Sequence, residues 1–223
     1  MNKFIIILLI SGSLFGQQTK RKLVWEENFD GQTLNDKVWN IELGDGCPNC
    51  GWGNNERQLY TNQNHRLENG NLIITAKKEG NSYTSTRITT KNKKEFKYGR
   101  LEARAKLPTG HGLWPAFWML GSNMTEKGWP KCGEIDILEY IGRNPHTVYT
   151  TLHTQDSHGN SINSKKTAIA SIEEGFHIYA IEWTKDKIDF FFYKDLVYTF
   201  QPQVKNENTW PFDQPFFFLI NVA

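Results

Sequence analysis

Cysteine is scarce, with three in 223 residues, and that excludes a disulfide-built scaffold. Cys47, Cys50 and Cys132 leave at least one thiol unpaired in any monomeric scheme. Cys47 and Cys50 are the pair a turn can bring within bridging distance. A redox-active reading needs the second cysteine to open a helix, whereas CPNCGWGNN runs on into glycine and asparagine. A zinc site of three cysteines and a histidine is thinly supported, because the third cysteine lies about eighty residues further on without a second pair. Charge of one sign is also lacking: 26 basic residues against 24 acidic ones suggest no nucleic-acid partner. Long apolar runs are absent beyond FIIILLI, which is too short to span a bilayer. Preceded by Lys3 and followed by small residues up to Gly16, it reads as a secretory signal over 1–16. The expectation is therefore an exported protein, with one domain over 17–223 and no membrane segment in its mature form.

Helical periodicity is missing as well, and from Leu23 onward short alternating runs are separated by Gly, Asn, Asp or Lys clusters. In RLEARAKL, Leu101, Ala103, Ala105 and Leu107 point one way, while Arg100, Glu102, Arg104 and Lys106 point the other. Asn69-Gly70 marks a turn before LIITAK. FHIYAIEWT and IDFFFY, parted by Lys185, Asp186 and Lys187, are apolar on both faces and suit strands in the middle of a two-sheet stack. The fold class is all-β, and the pattern leaves sandwich and barrel both open.

Aromatics are plentiful at 13% of residues, with eight tryptophans. Sugar rings present flat C–H faces, so aromatics among polar groups suit a polysaccharide cleft, although each tryptophan also fits a core. The chemistry concentrates in GEIDILEYIG. Ile135 and Ile137 alternate with Glu134 and Asp136, putting both acids on the face opposite the core. Strict alternation turns Glu139 to the wrong face, and a β-bulge at Ile137 or Leu138 restores it. Four effective strand steps separate the outer Cα atoms by roughly 13 Å. Side chains leaning together over a curved sheet bring that down to the roughly 5–5.5 Å of a retaining glycosidase. Crowded carboxyls acquire different proton affinities, so one serves as acid while another stays ionised. An isolated ExDxxE is more often a solvated edge. Here Trp129, Pro130 and Tyr140 flank it and GLWPAFWMLG precedes it, which favours a sugar site.

EIDILE resembles the catalytic signature of glycoside hydrolase family 16, in the bulged form of laminarinases, the endo-β-1,3-glucanases. LVWEENFDG, GWGNNERQLYT, NGNLIITAKK, the run from RITTKNKK to WPAFWMLG, WPKCGEIDILEYIG, TLHT and HIYAIEWT extend the resemblance in order. It implies a β-jelly-roll sandwich of two curved antiparallel sheets, concanavalin A-like, with a sugar chain in the concave cleft. It implies Glu134 as nucleophile, Glu139 as general acid and then base, and Asp136 as the group tuning Glu134. His153, Trp114 and Trp118 are similar to cleft residues near the cleavage point. Asn54 and Arg87 are similar to hydroxyl-binding groups on the non-reducing side, with Glu56 and Trp129 as further candidates. It implies a β-glucan substrate. Nothing in the sequence suggests anything but a monomer, and no cofactor or metal is expected. Relatives run past INVA into a Gly-Gly-x-Trp-Pro-Gly loop and a last strand, and the chain stops at Ala223, so a strand and the carboxylate of a structural calcium site are expected to be missing. A non-catalytic β-glucan recognition protein, or an agarase or carrageenase on the same scaffold, are the alternatives.

Overall fold

The computed structural model describes residues 21–47 and 51–223. The expected signal over 1–16, and Cys50 of the expected Cys47–Cys50 pair, lie outside them. The first half contains β1 (Asn40–Glu42), β2 (Gln58–Tyr60), β3 (His65–Glu68), β4 (Asn71–Ile74), β5 (Lys77–Glu79), β6 (Ser82–Ser85), β7 (Arg87–Thr89), β8 (Glu95–Phe96) and β9 (Gly99–Ala105). Then come β10 (Pro115–Gly121), a one-turn helix α1 (Met124–Lys127), β11 (Glu134–Tyr140), β12 (Thr147–His153), β13 (Ser164–Ala168), β14 (His177–Trp183), β15 (Ile188–Phe192), β16 (Asp195–Phe200) and β17 (Phe216–Val222). No helix among the described residues is long and apolar enough to cross a membrane.

Two open sheets form the jelly-roll sandwich, which decides against a barrel. The larger runs β1-β7-β17-β10-β11-β12-β13, with β8 also on β17, and the smaller runs β16-β15-β14-β9. Phe117, Met119, Ile135, Leu138 and Phe218 on the large sheet meet Tyr179, Ile181, Trp183, Ile188 and Phe190 on the small one. Each such side chain, fully buried, contributes about 1.5–3 kcal/mol. Trp183 keeps its polar end satisfied by donating to the Phe212 carbonyl at 3.0 Å.

Local chemistry explains the connections. Asn69 and Gly70 take φ of 52° and 68°, and Glu68 pairs with Asn71, the two-residue hairpin their left-handed tolerance allows. Leu101 on β9 is buried, while Arg100 and Glu102 pair with each other outside. One expectation needs correction. β14 and β15 are interior strands of the small sheet, but their outer side is partly open, carrying Glu182 and Phe191 against Arg100. Their apolar outer positions stack on a charged side chain, not on a third layer. Every pairing within the two sandwich sheets is antiparallel, as expected, and β2 runs parallel to β6 in a small separate sheet. The C-terminal run FFFLINV forms an interior strand, between β7 and β10.

Candidate active site

On β11, Asp136 pairs with Thr151 and Glu139 with Tyr149, so Ile137 and Leu138 together oppose Thr150 alone. The other neighbour, β10, registers the same extra residue: Trp118 faces Asp136, Phe117 faces Leu138, and Ile137 is skipped. This is the expected bulge. It sends Ile135, Ile137, Leu138 and Tyr140 into the core and leaves Glu134, Asp136 and Glu139 on the concave face.

Each carboxyl has dedicated partners. Trp114 Nε1 donates to Glu139 Oε1 at 3.0 Å, and the Thr151 hydroxyl lies 3.4 Å from Oε2. Trp129 Nε1 donates to Glu134 Oε2 at 2.7 Å. His153, the cross-strand partner of Glu134, sets Nε2 3.3 Å from Asp136 Oδ2 and 3.8 Å from Glu134 Oε1. Burial pushes all three carboxyls above the ordinary carboxylate range, Glu134 and Asp136 furthest. For Glu134 the charge of Asp136 adds to burial and His153 opposes it. For Glu139 the bonds from Trp114 and Thr151 and the charge of His153 oppose burial without cancelling it. Burial thus favours the neutral form of both Glu134 and Asp136, and His153 faces the two together. Ligating atoms of Glu134, Asp136 and His153 lie within 4.8 Å of one another, a spacing that also suits a shared cation.

The cleft floor extends sideways as one row across seven strands. Glu42, Arg87, Asn221, Ala116, Glu139, Tyr149 and Lys166 are successive cross-strand partners from β1 to β13. At about 4.8 Å per strand the row spans roughly 29 Å. Arg87 is clamped by an ion pair to Glu42 and sandwiched by Trp52 and Trp118, with ring centroids 4.7 and 4.9 Å from its guanidinium carbon. Trp118 Nε1 donates to Asn221 Oδ1 at 2.8 Å, and Asn221 Nδ2 to Tyr60 Oη at 3.0 Å. Glu56 closes this network, accepting from Gln58 at 2.6 Å and Tyr60 at 3.2 Å. Burial raises its carboxyl too.

Of the residues singled out in the sequence, Trp114, Trp129 and His153 touch the carboxyl cluster directly. Trp118 pairs with Asp136 across strands and leads to Arg87 and Glu56. Asn54 stands apart, exposed on a turn at φ 50°, with no described bond to the carboxyls. Trp52, Thr151 and Asn221 went unread. Trp52 between two glycines, and Asn221 as the polar residue within FFFLINV, are signals that were present.

Known proteins carry the same organisation. The solved laminarinase of Flavobacterium sp. UMI-01 superposes with a TM-score of 0.90 at 69% identity, over 91% of this chain and 88% of that one. A Rhodothermus marinus protein named beta-glucanase is 38% identical over 99% of this chain and 83% of its own length. A glucan endo-1,3-beta-glucosidase of Cryptopygus antarcticus is 37% identical, over 100% and 87%. The family model of the glycosyl hydrolases family 16 matches residues 53–222, a span that holds the whole carboxyl cluster and its tryptophans. The chain belongs to the glycosyl hydrolases of family 16.

Proposed function

We propose that the protein is an exported, retaining endo-β-1,3-glucanase. The observation that carries this reading is the bulge that puts Glu139 beside the Glu134–Asp136 pair, in a family whose similar members are named laminarinases and glucan endo-1,3-beta-glucosidases. Glu139, kept protonated by burial, donates its proton to the leaving glycosidic oxygen. Glu134 attacks the anomeric carbon and forms a glycosyl ester. The Trp129 N–H occupies Glu134 Oε2 and leaves Oε1 free for attack. The charge of His153 and the Trp129 N–H favour the ionised form of Glu134, the form that attacks. In the second half, Glu139 takes a proton from water, which attacks the ester from the side the leaving group vacated and restores the original anomeric configuration. Residues 1–16 are the export signal, removed from the working enzyme.

The test is release of reducing ends from laminarin by the purified protein, beside lichenan, agar and carrageenan. Laminarin is expected to be the preferred substrate, with first-formed products of the β configuration by NMR. Glu134→Gln and Glu139→Gln are expected to abolish turnover. A protein that binds laminarin without cleaving it, or a Glu134→Gln variant as active as wild type, would overturn the reading.

A further inference from the structure

The transverse row on the concave face does not stop at Glu139. One strand further, on β12, is Tyr149, and one beyond that, on β13, is Lys166. Antiparallel partners on one face hold their Cβ atoms about 4.5–5.5 Å apart, so the Tyr149 ring is the immediate neighbour of Glu139 on the side away from Arg87 and Trp118. The ring is fixed. Asn144 Nδ2 donates to the Tyr149 hydroxyl at 2.7 Å, and Lys166 Nζ stands 5.5 Å from the ring centroid. Asn144 is itself placed by the β11–β12 loop. Gly142 donates to the Leu113 carbonyl at 2.8 Å, and its missing Cβ would sit 1.8 Å from the Gly110 carbonyl oxygen, so only glycine lets this loop seat so closely. At the loop's other end, the backbone N–H of His146 donates to Glu173 at 2.7 Å. A half-buried aromatic, held by its hydroxyl and flanked by a flexible cation, thus sits on the far side of the acid that protonates the leaving oxygen. None of these residues touches the Glu134–Asp136 pair in any described bond.

We infer that Tyr149, with Asn144 and Lys166, forms the binding platform for the leaving half of the glucan chain and for acceptor sugars, on the β12–β13 side of Glu139. The inference rests on the glucanase reading above. An aromatic face covers the apolar C–H face of a pyranose, while the amide and ammonium reach its hydroxyls. Such a platform contributes to cleavage only when a sugar occupies the leaving side. Its loss is therefore invisible to a substrate whose leaving group is a small aryl alcohol.

The experiment compares kcat/KM for laminarihexaose and for an aryl β-laminaribioside, in the wild type, Tyr149→Ala, Tyr149→Leu and Tyr149→Trp. Tyr149→Ala is expected to lose about tenfold on the hexaose, equivalent to ~1.4 kcal/mol, while staying within about twofold on the aryl substrate. Transfer of the glycosyl unit to added laminaribiose, relative to water, is expected to fall in parallel. Tyr149→Trp restores both, because it keeps a flat face. Tyr149→Leu, which retains apolar bulk without that face, repeats the alanine contrast and guards against an alanine variant that fails to fold. Equal losses on both substrates in the leucine variant, or no loss on the hexaose, overturn the inference alone. A wild-type protein inert on both substrates overturns the glucanase reading and this inference with it.

Discussion

Trp129 donates its indole N–H to Glu134 Oε2 at 2.7 Å from a position that is itself 46% exposed. The cleft rim thereby reaches a carboxyl in the floor, and a donor bonded to a carboxylate favours its ionised form. His153 works on the same pair from the next strand, so Glu134 is steered from rim and floor together.

Removing only the donor separates hydrogen bonding from stacking. Trp129→Phe keeps an aromatic ring over His153 but leaves Glu134 Oε2 without its N–H. A bond to a charged group contributes ~1.5–3 kcal/mol, and the exposure of Trp129 puts this one at the lower end, so kcat/KM should fall about tenfold. Its acid limb should also move to higher pH, because Glu134 then protonates more readily. A pH profile of kcat/KM that coincides with wild type would disprove the role given to this bond.

Asp136 illustrates activity set against stability. Burial lifts its carboxyl well above 3.8, so the folded chain holds that proton more tightly than the unfolded chain does. Such a group's contribution is fully present below the unfolded pKa and is lost as pH rises through the folded one. Asp136→Asn cannot ionise and escapes that loss. At pH 7 it should be more stable than wild type by ~1 kcal/mol, a rise in Tm of about 2–4 °C. The gain should vanish below about pH 4, where the wild-type group is protonated in both states. Activity falls because His153 loses its carboxylate partner beside Glu134. Thermal melts across pH test this, and a Tm difference independent of pH would contradict it.

Arg87 lies three strands from Glu139 along the row, roughly 14 Å, so its effect belongs in binding and not in the chemical step. Arg87→Lys keeps the charge but cannot lie flat between Trp52 and Trp118 while reaching Glu42. The expected result is a KM for laminarin about fivefold higher with kcat little changed, matching a lost cation–π contact of ~1 kcal/mol. A fall in kcat at constant KM would place Arg87 in the transition state instead.

What could be read from the chain and what could not divide along a physical line. The bulge was legible because the five-residue offset from Glu134 to Glu139 breaks the two-residue period of a strand, and Ile135 and Tyr140 bracket the break with core-facing side chains. Local parity is enough for that. The transverse row was not legible, since it depends on strand order: β17, last in sequence, inserts between β7 and β10 and brings Asn221 against Arg87. Tyr149 was missed for the same reason. TVYTTLH reads as one more alternating run until its register against β11 is known. The outer side of β14 and β15 was misjudged because apolar composition cannot tell a second packed layer from aromatics covered by Arg100.

The bulge yields the sharpest prediction, because the parity of the offset from Glu134 decides which face the acid takes. Deleting Ile137 leaves Glu134, Asp136 and the final glutamate in strict alternation, so all three still face the cleft while Leu138 takes the vacated core position. That variant should fold. It loses one buried isoleucine, a cost of ~2–5 kcal/mol, and its activity should drop at least about a hundredfold, because the acid is displaced along the strand. Deleting Leu138 as well shortens the offset to three residues, an odd number, and turns the final glutamate toward Phe117, Leu152 and Tyr179. A carboxyl placed there unpaired costs several kcal/mol more, so the doubly deleted chain should be much the less stable. Circular dichroism melts of the two proteins decide the matter. A double deletion as stable as the single one would mean that the strand absorbs lost residues without regard to face, and Glu139 would then owe its place in the cleft to something other than the bulge.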